Sequence, residues 1–378
     1  TRGLGGLPEL TLVQQCYREW ALEVAGSGRL VHSGIDSFQA LSPYLYALVL
    51  SGPSLLARTD AVVHSVLDQW QPHAVCFSAI VCPHQKRLVI ACNRRAIPTI
   101  CYQHGGAYGT HDVPVHDFAE GRMADYFLSY GSGVLPPISR RGLRRAHYVA
   151  VGSARIEQQM ARKRNVRPNR DRRLRVVFAG DVSFRNTLTA GTEIEDTFRY
   201  KLEREVLTEL ALGPRLQVVY RPFPADLSSQ GTPAWLSRAR LDNVSIDASS
   251  RTAALLRRSE LLITLSTSGT LWNEALALGV PLVAYLDSRF TSVREEYFAD
   301  LRNACIVCTS AEELRELASS VATEGREFLR RFVVKRPDVF LQRYVLADGL
   351  SSDKVCDFVG AALHARLPQA LAASNTDA

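Results

Sequence analysis

Short apolar runs closed by turn residues alternate along this chain with longer segments of mixed apolar and polar positions. Ala74–Phe77 follows the turn-forming Gln71 and Pro72 and reads as a buried strand. Lys86–Arg95 reads as a helix and Ile97–Tyr102 as the next strand. Tyr126–Tyr130, ending at Gly131, Ser132 and Gly133, and His147–Gly152 read as two more strands. Polar, arginine-rich sequence from about residue 156 to 172 interrupts the pattern, which restarts with a strand at Leu174–Gly180. A helix over Arg199–Leu212 and strands over Leu216–Arg221 and Val244–Asp247 follow. Next come a helix over Thr252–Arg258, a strand over Leu261–Leu265, a helix over Leu271–Leu278 and a strand over Pro281–Tyr285. Helices at Ala311–Ala322 and Asp353–Leu367 complete the pattern, and the small, polar tail after Pro368 is expected to fray. Short apolar strands alternating with helices predict an α/β protein with parallel sheets covered on both faces.

A length of 378 residues exceeds one ordinary core and predicts two domains. The expected division is an N-terminal Rossmann-like domain over 1–155, a basic linker over 156–172, a C-terminal Rossmann-like domain over 173–348, and a C-terminal helix and tail over 349–378. The apolar content of 46% and charged content of 22% belong to a globular chain rather than a disordered one. No apolar run reaches about 18 residues, so no membrane-spanning helix is expected. Residues 1–6 lack a charged start followed by an apolar core, so no secretory signal is expected there. The chain starts at Thr1 without an initiator methionine and reads as a piece of a longer protein.

Charge and cysteines narrow the class. The net charge of +7 gathers at Arg140, Arg141, Arg144 and Arg145, and again at Arg162, Lys163, Arg164, Arg167, Arg170, Arg172 and Arg173. Without interleaved aromatics or a nucleic-acid motif, this stretch reads as a solvated linker or a contact to an anionic membrane or an anionic glycan acceptor, not a nucleic-acid surface. The eight cysteines sit mostly in apolar runs, as reduced, buried thiols of a cytoplasmic protein do. Cys305 and Cys308 have no second ligand pair at zinc spacing and read as core residues.

Two segments carry candidate chemistry. The first is the strand, hydroxyl-rich turn and helix at 261–281, closed by Gly279-Val280-Pro281. Free backbone N–H groups and the dipole at a helix start attract an anion. Ser266, Thr267, Ser268 and Thr270 add hydroxyl donors, Gly269 admits a phosphate to the backbone, and Glu274 stands about one turn on to accept from ribose hydroxyls. The plainer reading is an N-capped strand–helix junction. In its S-x-[ST]-x-x-x-E-A-x-x-x-G-x-P pattern this segment resembles the nucleotide-binding turn of GT-B glycosyltransferases and of UDP-N-acetylglucosamine 2-epimerases. That resemblance implies two Rossmann-like domains facing each other across a cleft.

The second segment is the loop Gln103, His104, Gly105, Gly106, Ala107, Tyr108 and Gly109 after a predicted strand, where α/β sites form. His104 suits a general base for an acceptor hydroxyl, or else braces a glycine turn. His111 and His116 lie nearby, but the spacing of the three matches no metal motif. The loop resembles that of bacterial surface-carbohydrate biosynthesis transferases, which are similar to the capsule-type transferases of Kdo (3-deoxy-manno-octulosonic acid) and, more remotely, to CDP-glycerol glycerophosphotransferases. Phe178-Ala179-Gly180, Tyr220–Pro224, and Arg294–Leu301 before Ala304–Val307 fit the same family in order. The resemblance covers roughly residues 75–335. The Kdo transferases carry an acidic residue where His104 stands, so the resemblance favours a single inverting displacement over a covalent route. Asp112 and Asp117 are the alternative carboxylates.

Arg221 is expected to neutralise a leaving phosphate, and Arg185 and Asn186 are weaker donor-site candidates. The resemblance implies no bound metal and no cofactor beyond the substrate nucleotide sugar. A CMP-linked acidic sugar is the favoured donor, with UDP- or GDP-hexoses as alternatives. The acceptor would be a capsule or lipopolysaccharide glycan or glycolipid, at the inner face of the membrane. A CDP-polyol phosphotransferase, a sugar-nucleotide 2-epimerase and a non-catalytic GT-B-like binding subunit are the competing readings.

Overall fold

The computed structural model describes residues 8–27, 31–32, 35–111, 117–134, 146–161, 173–181, 194–223, 231–249, 252–265, 269–332, 335–348 and 350–364. By their contacts the residues group into two compact units, 1–75 with 80–99, and 76–79 with 100–378. The first unit holds helix α1 (Pro8–Ser27), the short pair β1 (Val31–His32) and β2 (Ile35–Asp36), the long helix α2 (Ser37–Trp70) and helix α3 (Pro83–Arg94). Val63 and Leu67 of α2 pack on Ala91 and Cys92 of α3, and the Arg87 guanidinium pairs with Asp60. Neither α1 nor α2 was expected.

Strands β3 (Val75–Phe77), β4 (Thr99–Tyr102), β5 (Tyr126–Ser129) and β6 (His147–Ala150) form one sheet in the order β3-β4-β5-β6. The pairings β4–β5 and β5–β6 are parallel. Helix α4 (Asp117–Met123) precedes β5, and helix α5 (Ala154–Ala161) follows β6. Residues 156–161 were read as the start of a polar linker. They are helical because Ile156 is buried at 1% exposure and anchors that face.

The second sheet runs β12-β11-β10-β7-β8-β9, every neighbouring pair parallel. In chain order its elements are β7 (Leu174–Ala179), α6 (Asp196–Ala211), β8 (Leu216–Arg221), α7 (Thr232–Ala239), β9 (Val244–Ile246) and α8 (Thr252–Arg258). Then come β10 (Leu261–Thr264), α9 (Thr270–Ala277), β11 (Leu282–Tyr285), α10 (Glu295–Ala304), β12 (Ile306–Cys308) and α11 (Ala311–Glu324). Alternation along β7 sends Val176 and Phe178 into one core and Val177 and Ala179 into the other, so both faces are covered.

Helix α12 (Pro337–Tyr344) packs into the second of these cores through Phe340 and Leu341, and helix α13 (Ser351–His364) returns to the first sheet. There Val355, Phe358 and Val359 cover Ile100, Leu128 and Val151. The fold is α/β with two parallel Rossmann-like sheets. Cys92, Cys101, Cys305 and Cys308 are buried, as expected, whereas Cys16, Cys76 and Cys356 are exposed. Among the described residues no helix is long and apolar enough to cross a membrane.

Candidate functional site

The loop after β4 is held from below by Gln103. Its Nε2 donates to the Gly105 carbonyl at 2.6 Å, and its Oε1 accepts from the Tyr130 backbone N–H at 2.8 Å. A buried amide with both ends satisfied fixes the loop against the end of β5. His104 projects from this support, part exposed and part buried. Its Nδ1 lies 2.7 Å from the hydroxyl of buried Tyr108, and the two rings meet edge to face. Partial burial lowers the His104 pKa below the ordinary imidazole value, and a hydrogen bond to the Ser78 backbone opposes part of that shift. The ring is therefore largely neutral at pH 7. Nδ1 and the Tyr108 hydroxyl can each be the donor, and the unprotonated nitrogen of the neutral ring is the base.

Gly105 and Gly106 of the loop approach α9. A Cβ on Gly106 would stand 2.7 Å from the Asn273 amide nitrogen and 2.7 Å from the carbonyl carbon and oxygen of Gly269. Only a residue without a side chain brings the two backbones this close. Gly269 itself has φ +154°, a backbone state that favours glycine, and it precedes the first turn of α9 with no side-chain cap. The N–H groups at that helix start have no side-chain acceptor among the described residues, which is the arrangement an anion completes.

One turn into α9, Glu274 is 1% exposed. Its Oε1 pairs with the Arg155 guanidinium at 2.7 Å, while its buried Oε2 has no hydrogen-bond partner among the described residues. A carboxylate buried with one oxygen unmatched is costly unless a donor completes it. Tyr130 lies beside this pair. Burial raises its phenol pKa, a hydrogen bond from Ser153 and the charge of Arg155 oppose the rise, and Glu274 adds to it. The residues just beyond β4, β5 and β6 thus converge on α9, at carboxyl ends of parallel strands.

A second link fastens the His104 loop. Buried Arg294 donates through Nε to the Gly109 carbonyl and through Nη2 to the Gly133 carbonyl at 2.9 Å, and its backbone N–H donates to Thr110 at 3.0 Å. His111 forms an isolated antiparallel bridge with Val293. It is buried, so it stands as part of this backbone link.

Arg221 ends β8 with its guanidinium engaged on both sides. One nitrogen donates to Asp247 Oδ2 at 2.7 Å and another to Thr252 Oγ1 at 2.7 Å, and the residue is 8% exposed. Burial raises the Asp247 pKa, but hydrogen bonds from Ser249 and the charge of Arg221 outweigh it and hold the carboxyl below its usual range. Ser266, Thr267, Ser268, Arg185, Asn186, Asp112 and His116 lie outside the described residues, as do Arg140–Arg145 and Arg162–Arg172. Asp117 begins α4. Among the described residues no group of three or more His, Cys, Asp or Glu is placed to hold a metal ion.

The structure brings together His104, Gly105, Gly106, Tyr108, Gly269, Thr270 and Glu274. Sequence reasoning missed Tyr130, Ser153, Arg155, Asn273 and Arg294. Tyr130, Asn273 and Arg294 stood in segments read for other reasons, and nothing in the local pattern around Arg294 announced a buried side chain reaching 185 residues back.

Comparison with known proteins bears on the fold and the family. The model of the LIC12162 family transferases matches residues 56–325, and the chain belongs to that family. Its fold is similar to that of the S. aureus MnaA–UDP co-structure, at 12% identity over 82% of this chain and 79% of that one, with a TM-score of 0.55. It is likewise similar to the UDP-GlcNAc 2-epimerase of Neisseria meningitidis bound to UDP-GlcNAc, at 12% identity over 81% and 80% with a TM-score of 0.55. The UDP-GlcNAc 2-epimerase of Methanocaldococcus jannaschii, in complex with UDP-GlcNAc and UDP, matches at 14% identity over 81% and 80% with a TM-score of 0.53. No curated protein matches in sequence. At these identities the structures establish a GT-B-like fold, and the family establishes a transferase.

Proposed function

We propose that this transferase moves a sugar from a nucleotide-linked donor to a hydroxyl of a growing surface glycan or glycolipid. The observation that supports it best is the buried Glu274 carboxylate, whose Oε2 has no partner among the described residues, one turn into a helix whose Gly269 N-cap supplies no side-chain cap and whose start touches the His104 loop. A ribose hydroxyl would complete Oε2, and the phosphate would take the N–H groups at the start of α9. The acceptor oxygen would then attack the anomeric carbon as its proton passes to the neutral His104 imidazole. The bond from that carbon to the phosphate oxygen breaks, and its electron pair leaves with the nucleotide.

A CMP-linked ulosonic acid such as Kdo is the donor that the loop's resemblance favours. UDP-linked sugars are the alternative, since three proteins of similar fold are named with UDP or UDP-GlcNAc. In this reading no metal takes part, and the basic stretch 140–173 holds the enzyme at an anionic inner membrane face. Recovery on anionic but not neutral liposomes, falling steeply with salt, tests the membrane contact.

The donor assignment is tested by calorimetric titration with CMP, CDP, UDP and GDP. Ser268→Ala with Thr270→Ala is expected to weaken the preferred nucleotide by about 1–3 kcal/mol, through lost charge-assisted hydrogen bonds. Unchanged affinity for all four would refute the assignment. Conversion of a UDP-sugar with no acceptor present would replace transfer by epimerisation.

A further inference from the structure

The reading above leaves the donor's phosphate in need of a positive side chain, and Arg221 is poorly placed to supply it. Both sides of its guanidinium are spent on Asp247 and Thr252. Arg155 differs in each respect. Its side chain is 66% exposed, it belongs to the first turn of α5, and its partner is the 2% exposed side chain of Glu274. The exposed member of such a pair stands between the buried member and solvent.

We propose that Arg155 is a donor-binding residue that exchanges the Glu274 carboxylate for the donor's phosphate. The inference rests on the assignment of α9 to the nucleotide. Arg155 satisfies Oε1 of a carboxylate whose other oxygen has no hydrogen-bond partner among the described residues. A ribose carries two neighbouring hydroxyls, and a carboxylate accepts through two oxygens. In the exchange the diol takes Oε1 as well as Oε2, and Arg155 is displaced from the buried carboxylate. The released guanidinium then meets an anion that pairs with it in the same forked geometry as the carboxylate. Glu274 lies about 6 Å along the helix axis from Thr270, at roughly 1.5 Å per residue, within the span of an arginine side chain. A nucleoside offers the diol without the phosphate. It must break the ion pair and gives Arg155 nothing in return, so the exchange discriminates against nucleosides.

The experiment measures binding of CMP, CDP, UDP and GDP by calorimetry, and of cytidine, uridine and guanosine by ligand-observed NMR, to wild type, Arg155→Ala and Glu274→Gln. Glu274→Gln is expected to weaken the preferred nucleotide and its nucleoside alike. Arg155→Ala is expected to weaken the nucleotide at least about tenfold while the nucleoside binds as well or better, because its carboxylate is already uncovered. Loss of both by the same factor in Arg155→Ala, or of neither, overturns the exchange and leaves the donor site standing. Failure of every nucleotide to bind wild type, or unchanged binding by Glu274→Gln, removes the donor site and the exchange together. Arg155→Ala leaves a buried carboxylate without its cation and can unfold. The double variant Arg155→Gln with Glu274→Gln carries no unpaired charge and keeps the test open. It must bind the nucleotide more weakly than Glu274→Gln alone, and equal affinity overturns the proposal.

Discussion

Gly106 and Gly269 meet backbone to backbone, so closely that a methyl group on the first would come within 2.7 Å of the carbonyl of the second. The loop carrying His104 is therefore registered directly on the start of α9. Gly106→Ala must separate the two, because a backbone carbonyl does not yield as a flexible side chain does. It is expected to cost about 1–3 kcal/mol of stability, the usual effect of overpacking, and to lower turnover. Gly105→Ala is the control, since its added Cβ would meet only Thr270 Oγ1 at 3.7 Å, an ordinary contact. Thermal melts and single-turnover rates of both variants check the contrast.

His104→Ala is expected to reduce turnover by about 10²–10⁴-fold, the worth of a positioned base, with little change in donor affinity. An amide keeps hydrogen bonds but takes no proton at neutral pH. His104→Asn within about fivefold of wild type, with its melting temperature intact, would remove the base role and leave a bracing one. Tyr108→Phe loses the hydroxyl at Nδ1, and a hydrogen bond worth about 0.5–1.5 kcal/mol predicts a loss of up to roughly tenfold.

The pH profile provides an independent check. Partial burial lowers the His104 pKa, and the neutral form is the base. Activity is then full at pH 7 and declines as pH falls through that lowered value. The acidic limb of kcat/KM is expected below about 6.5, the ordinary imidazole value. A limb above 6.5 would mean that another group, or a raised His104, controls the reaction.

Arg294→Met removes the donors that reach the carbonyls of Gly109 and Gly133. Charge-assisted hydrogen bonds contribute about 1.5–3 kcal/mol each, so a large drop in Tm is expected. Arg294→Lys can replace one of the two and should fall between Met and wild type. Denaturant titration of the three proteins gives the order.

Asp247 provides a test at acid pH. Its folded pKa lies below the unfolded one, so its stabilisation is present above about pH 4, near the unfolded value, and is lost as pH falls through the folded pKa. Asp247→Asn removes that ionisation and leaves Arg221 without its counter-charge. At pH 7 the variant is expected to lose about 1–3 kcal/mol. The gap from wild type should close as pH drops below 4, where wild-type Asp247 protonates. Melting curves from pH 2 to 7 show whether it does.

Where apolar runs are short and bounded by turn residues, the sequence reports its own structure. Leu216–Arg221 and Thr252–Arg258 are read to the residue, and the other expected strands differ from the observed ones only at their ends. The long helix α2 is not legible in this way. It contains Pro43, Gly52 and Pro53, residues that ordinarily break a helix, and its apolar positions show no single stripe. The candidate site divides similarly. His104, Gly106, Gly269 and Glu274 announce themselves through glycine and hydroxyl spacing beside a strand end. Arg155 and Tyr130 do not, because their importance lies in meeting Glu274 from positions more than 100 residues earlier. The pairing of Arg221 with Asp247 is equally a product of tertiary structure, joining the ends of neighbouring strands.

Helix α13 has a consequence for the order in which the molecule can be finished. Ile100, Leu128 and Val151 of the first sheet are covered by Val355, Phe358 and Val359. On a ribosome adding about 5–20 residues per second, the interval between Val151 and Phe358 is roughly 10–40 s. During that time the first sheet has all its strands but lacks part of its apolar cover. The nascent chain must therefore keep that sheet face shielded until α13 emerges, and a chaperone that binds exposed apolar surface would have its natural target there.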